Sequence, residues 1–89
     1  MGFFEHMLMN TELMEDGLPG QTIVELSGGK RVLVEGHRGV KAYSRERIVV
    51  NTKMGAVCVC GCGMEILRMS RERLVIQGRI DAINLLRRE

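Results

Sequence analysis

Between Leu18 and Leu86 apolar residues fall on alternate positions, in runs too short for a helix, and each run ends at glycine or a charged pair. A period of two sends those side chains to one face of an extended strand, whereas a helical stripe needs spacings of three and four. The runs occupy residues 22–26, 31–35, 40–43, 48–50, 56–60, 64–67, 74–76 and 80–85. Between them lie turn-forming stretches: Ser27, Gly28, Gly29 and Lys30, then Gly36, His37, Arg38 and Gly39, then Ser44, Arg45 and Glu46. Further along come Lys53, Met54 and Gly55, and the corner Arg71, Glu72 and Arg73. Brief strands at such regular spacing imply an all-β fold. Short hairpin-like connections favour an antiparallel meander or sandwich, and a solenoid of stacked rungs is the alternative. No crossover helices are available, which excludes a parallel α/β sheet.

The last run contains an irregularity. The step from Ile80 to Ile83 is three residues, so strict alternation slips there. A β-bulge near Asp81 and Ala82 would restore the register, while a terminal helical turn over 80–88 is the competing arrangement. The strand is favoured. The expected core is then Ile23, Val32, Val34, Val40, Ile48, Val50, Val57, Val59, Met64, Ile66, Leu74, Ile76, Ile80 and Ile83.

A chain of 89 residues makes one domain with a thin core. The chain's three aromatic residues are Phe3, Phe4 and Tyr43, two of them near the start, so the core must be aliphatic. The net charge of +2 comes from 13 basic and 11 acidic residues that are interspersed. That pattern argues for solubility rather than for a polyanionic partner. Residues 1–17 stand apart from the rest. Phe3, Phe4, Met7, Leu8, Leu13 and Met14 could share one face of a helix, before Gly17, Pro19 and Gly20 end the pattern. We expect a short amphipathic helix or arm over 1–17 and a β domain over 18–89. The first ten residues lack Lys and Arg, so no basic leader region is visible. No apolar run approaches the length of roughly 20 residues that spans a bilayer. The expectation is a cytoplasmic protein with reduced thiols.

Three arrangements carry possible chemistry. Cys58, Cys60 and Cys62 alternate along one strand. Thiolates are good zinc ligands, but three in line on a strand cannot all reach one tetrahedral ion. The simpler account is that they are small, weakly polar side chains at exposed strand positions, on the face opposite Val57 and Val59. They remain the candidate metal or redox residues. Next, His37, Arg38 and Gly39 form a candidate interaction turn, where glycine amides and a guanidinium could receive an anion. A tight hairpin built on glycine accounts for the same residues. Last, arginines recur at the corners, but without interleaved aromatics and with acidic residues among them, which suits a solvated surface better than nucleic-acid binding. The carboxylates Glu12, Glu15 and Asp16 have no pocket to shift a pKa and read as a solvated face. No catalytic residue and no cofactor is expected.

Several segments in order resemble the YabP/YqfC family of sporulation proteins, and within it the YqfC branch. Leu18 and Pro19 open the domain. Glu35, Gly36, His37, Arg38, Gly39 and Val40 resemble the family's Glu-Asn-His-Arg-Gly-Ile segment, with Gly36 in place of Asn. Glu46, Arg47 and Ile48 follow, and Thr52 through Gly55 resembles a Thr-x-x-Gly turn. Gly61 falls at a glycine within a Lys-Gly-Lys step. Leu74, Ile76, Gly78 and Ile80 resemble a Leu-x-Ile-x-Gly-x-Ile ending. The chain departs from that pattern around Ser27, Gly28 and Gly29, in its N-terminal arm, and at the cysteines, which stand where relatives commonly carry charge; the resemblance thus implies that their side of the strand faces solvent or an interface, with Val57 and Val59 turned inward. The resemblance implies a non-enzymatic protein of the mother cell of a spore-forming bacterium. Together with the residues it leads to an expectation of binding to other sporulation proteins or to itself as a homo-oligomer. No membrane span is expected, and peripheral association with the forespore membrane is left open.

Overall fold

The computed structural model describes residues 21–87. The helix or arm expected over 1–17 lies outside them. The described chain is β throughout, in six strands: β1 (Ile23–Ser27), β2 (Arg31–Glu35), β3 (His37–Tyr43), β4 (Arg47–Thr52), β5 (Gly55–Met69) and β6 (Arg73–Arg87). They form one sheet in the order β1-β2-β6-β5-β4-β3. Every neighbouring pair is antiparallel, so the expected antiparallel β fold holds and the stacked-rung alternative does not; the step from β2 to β3 is the one departure from a meander.

One connection dictates the shape of this sheet. β2 and β3 stand far apart in the strand order, yet only Gly36 separates them in sequence. A flat sheet would set them several strand spacings of about 4.8 Å apart, a gap one residue cannot bridge. The sheet must therefore fold over, so that β2 faces β3 across an interior. Gly36 makes the corner with φ of 84°, and a Cβ there would lie 2.6 Å from the Gln21 carbonyl oxygen. Its amide donates to the Glu72 carbonyl at 2.8 Å.

β5 and β6 carry the fold through the middle of the sheet. Their first halves and last halves belong to different layers. Residues 56–60 of β5 pair with β4, and Arg73–Gln77 of β6 pair with β2. The bend between the halves is made by register breaks. Cys60 faces Ala82 while the next residue, Gly61, faces Ile80, which leaves Asp81 as the extra residue of a bulge. That is the bulge the Ile80 to Ile83 spacing demands, and β6 continues as strand to Arg87 with no terminal helical turn. Two further breaks fall between Cys62 and Glu65 and between Ile66 and Arg68. At the bend the two backbones nearly touch. A Cβ on Gly61 would sit 1.9 Å from the Arg79 carbonyl oxygen, and one on Gly78 would sit 2.6 Å from Met64 Cα.

Folding the sheet encloses an aliphatic core. Val32, Val34, Leu74 and Ile76 come from one layer, and Ile48, Val50, Val57 and Val59 from the other, with Met64 at the bend; all are 0–2% exposed. Val24, Val40, Ile66, Ile80 and Ile83 pack against them. The expected core is met except on β1, where Val24 rather than Ile23 turns inward. The register explains this, because Val24 pairs with the buried Val34 while Ile23 pairs with Glu35 on the outer face.

Gly61→Ala should destabilise the protein by about 3 kcal/mol or more, since overpacking against backbone cannot be relieved by a rotamer change. Gly28→Ala meets nothing within 4 Å. It should cost only about 1–2 kcal/mol, for its positive φ. Urea unfolding of the two variants beside the parent checks the difference.

Candidate functional site

The segment expected as an interaction turn is built differently. His37, Arg38 and Gly39 are the first residues of β3, and no hairpin joins β2 to β3 because these strands are not paired. His37 is 7% exposed. The Gly39 amide donates to its Nδ1 at 3.0 Å, so the ring proton resides on Nε2, which donates to the Ser70 carbonyl at 2.9 Å. The imidazole thus clamps the start of β3 to the corner between β5 and β6. Arg38 is exposed, with its side chain away from this clamp. Opposite His37 in the β3–β4 ladder lies Thr52, fully buried. Its hydroxyl donates to the Gly55 carbonyl at 2.7 Å and accepts the amides of Met54 and Gly55. That closes the Thr-x-x-Gly turn between β4 and β5.

The cysteines lie on the outer face of the β3-β4-β5-β6 layer, as the alternation implies. Their exposure is not uniform, and here the expectation of an open thiol row needs correction. Cys58 is 6% exposed and its ladder partner Val49 is 5% exposed, while Cys60 is half-buried and Cys62 exposed. All three thiols are free, and the Sγ atoms of Cys58 and Cys60 share a hydrogen bond at 3.8 Å. This bond, then partial loss of solvent and the neighbouring sulfur, raise the Cys60 pKa above its ordinary value; Arg47 pulls it down and is outweighed. A raised pKa leaves less of the nucleophilic, metal-binding thiolate near neutrality. Cys62 falls past the first register break, where β5 turns away from the strip that holds Cys58. Among the described residues no group of three or more His, Cys, Asp or Glu side chains is arranged to hold a metal ion.

A feature that alternation did not reveal is an exact repeat. Ser-Arg-Glu-Arg occurs at Ser44 to Arg47 and again at Ser70 to Arg73. Both copies make the same turn: the serine amide donates to the second arginine's carbonyl, at 2.9 and 2.7 Å, and that arginine's amide donates to the serine hydroxyl, at 3.0 and 3.1 Å. The turns are also used reciprocally. Glu46 accepts the Gly61 amide at 3.0 Å and Glu72 accepts the Gly36 amide at 2.8 Å. Each corner therefore ties down the glycine that opens the other's leading strand segment. A search for short internal identities, instead of periodicity alone, would have found the pair. Their arginines do not gather on one surface, because the first turn packs at the β5–β6 bend and the second at the β2–β3 crossover. Arg73 is engaged with Glu35 at 2.7 Å.

A shallow hollow of about 580 Å³ is lined by Ser27, Lys30, Arg31, Gln77, Gly78 and Arg79. Arg31 donates to the Gln77 side-chain Oε1 at 3.0 Å and Arg79 to the Asp81 carboxylate at 3.2 Å. Its guanidinium groups are already partnered, and it holds no pair of acid and base. No described helix is long and apolar enough to cross a membrane.

These features define a small antiparallel β module whose polar residues serve its corners. The YabP family model matches residues 19–89, well over half of the chain. The chain belongs to the YabP family. No curated protein matches it.

His37→Ala should cost about 1–3 kcal/mol, by removing a buried imidazole together with its hydrogen bonds to the Gly39 amide and the Ser70 carbonyl. Thermal and urea melts would measure it. In a Cys62→Ser background, Cys58→Ala should speed alkylation of Cys60 by iodoacetamide at pH 8, because the bond that raises its pKa is gone. Mass spectrometry of the labelled peptide gives the rate.

Proposed function

We propose that this protein is a non-catalytic sporulation factor that works by protein–protein contact, self-association included, along the open edge of β6. The observation that carries the reading is the state of that edge. β6 pairs with β2 only as far as Gln77, and Gly78 and Ile80 then donate to Lys30 and Gly29. From residue 81 to 87 one side of β6 has no strand beside it among the described residues. Natural sheets protect long edges with charge, proline or extra twist. Here residues 82–86 are Ala, Ile, Asn, Leu and Leu, without charge, and Leu85 and Leu86 are 38% and 55% exposed.

An extended segment laid along this edge would complete the backbone hydrogen bonds and meet apolar side chains on alternate positions. A second copy offers such a segment in its own β6, and two such edges pair antiparallel about a two-fold axis. Family membership supports the sporulation context, and with it a mother-cell cytoplasmic setting with the forespore surface within reach. The partners in this reading are the chain itself and other sporulation proteins, not nucleic acid. The raised Cys60 pKa works against the alternative of a thiol-based metal or redox module.

Ala82→Lys combined with Leu86→Lys places two charges on the edge at exposed positions. The parent should self-associate in light scattering and the double variant should be monomeric, with stability changed by no more than about 1 kcal/mol. A parent that stays monomeric at high concentration, and gives no crosslink from 82–86 to any protein in sporulating cells, would overturn the proposal.

A further inference from the structure

The hollow at the tip of the β1–β2 hairpin is built from two places in the chain. Ser27, Lys30 and Arg31 come from the hairpin, and Gln77, Gly78 and Arg79 from the middle of β6. Three of these six residues are cationic and none is a carboxylate. The chain as a whole has 13 basic and 11 acidic residues, interspersed, so this imbalance is local. Two acids stand close by without lining the hollow. Asp81 accepts from Arg79 Nε at 3.2 Å. Glu65 lies on β5, across Gln77 from Arg31.

We infer that this hollow binds a phosphate group, carried by a small soluble anion or by a lipid headgroup. Four observations support the site. First, Arg31 is oriented but not neutralised. It sits in the row Ser27, Arg31, Gln77, which crosses three adjacent strands, and its Nη2 donates to Gln77 Oε1 at 3.0 Å. Gln77 carries no charge, and the bond uses one of the five N–H groups of a guanidinium. Second, Arg79 also gives one N–H, to Asp81, and keeps four. That ion pair is largely open to water, where screening makes it weak, so a multiply charged anion can share the guanidinium. Third, Lys30 makes no ion pair among the described residues, which leaves a full charge uncommitted. Fourth, the backbone admits an anion. Gly28 and Gly29 have φ of 56° and 67°, and a Cβ on either would meet nothing within 4 Å, so that side of the turn is open to a ligand. The carbonyls of Gly29 and Lys30, which would repel an anion, are turned to the Ile80 and Gly78 amides at 2.9 and 3.0 Å.

The three cations reach the hollow from separate segments: the turn, β2 and β6. A tetrahedral phosphate presents oxygens in several directions and accepts a guanidinium fork at two of them. A planar carboxylate fills one fork and leaves the remaining donors unmet. A volume of about 580 Å³ falls within the range of small-molecule sites, which gives room for the phosphate and the group that carries it. The site is independent of strand addition at β6, whose open stretch starts beyond it, at residue 81.

Calorimetry of the full-length protein with inorganic pyrophosphate, at low ionic strength where screening is weak, tests the site. One pyrophosphate should bind per chain. Lys30→Gln with Arg31→Gln should weaken it by at least about tenfold, and Arg31→Lys, which keeps the charge but loses the fork, by about threefold. Arg71→Gln with Arg87→Gln removes two exposed charges far along the strands from the hollow. That variant should bind within about twofold of the parent. The amide resonances of Gly28 and Gly29 should shift on titration of the parent and stay still in the Lys30, Arg31 variant, whose remaining spectrum reports that it is folded. A second arm mixes the protein with vesicles of phosphatidylglycerol and phosphatidylcholine, or of phosphatidylcholine alone. Capture by the anionic vesicles that pyrophosphate displaces, and that the Lys30, Arg31 substitutions abolish, assigns the phosphate to a lipid headgroup. Pyrophosphate binding without vesicle capture assigns it to a soluble anion. Two results would sink the proposal: neither pyrophosphate binding nor vesicle capture, or an equal loss of binding in the Arg71, Arg87 variant, which would reduce the effect to overall charge.

Discussion

The contact on which the rest of the structure depends is the near-touch of two backbones at the β5–β6 bend. Gly61 approaches the Arg79 carbonyl and Gly78 approaches Met64 Cα, at separations that leave no room for a side chain. Because the strands can come this close, one long hairpin serves two layers. Its first and last portions turn their aliphatic faces toward each other, and a chain with few aromatics still encloses a continuous core. The bulge at Asp81 adjusts the alternation so that Ile80 and Ile83 remain on the inner side of the bend. Remove the bend and the same strands would lie flat, with Val32 and Val34 on a surface.

The corners then fix what the bend makes possible. Gly36 joins the layers in one step, and His37 immediately downstream is spent on holding that step against Ser70. This gives a structural meaning to a segment whose composition suggested ligand binding. A histidine and an arginine between two glycines look like an anion site when only residue types are known. With the fold in hand, the histidine is interior and both of its nitrogens are engaged by backbone. Thr52 beside it plays the same kind of part for the next turn. The polar residues that stand out in this chain are mostly the fasteners of its turns.

How much of this is legible in the chain depends on the range of the signal. Alternation is local, and it placed the strands, the inward face of β5 and the slip between Ile80 and Ile83. Ile23 misled because two adjacent β-branched residues open β1, and only pairing with β2 decides which faces inward. The crossover at Gly36 reads as a hairpin in the sequence because glycine marks a turn without saying which strands it joins. The burial of Cys58 was not visible, since a strand residue on the outer face is exposed unless something lies over it. The Ser-Arg-Glu-Arg repeat was in plain view, but a search for alternation passes over polar identity. Gly36 stands where the family segment carries Asn, and both its positive φ and the close approach of the Gln21 carbonyl favour glycine in this chain.

The paired Ser-Arg-Glu-Arg corners carry a consequence for how the molecule comes apart. Each corner's glutamate carbonyl receives an amide from the glycine that leads into the opposite unit, so neither unit is complete by itself. Loosening one end withdraws an acceptor needed at the other. A domain wired in this crosswise manner has no stable half, and its unfolding is expected to be all-or-none despite a sheet whose strands are mostly sequential neighbours.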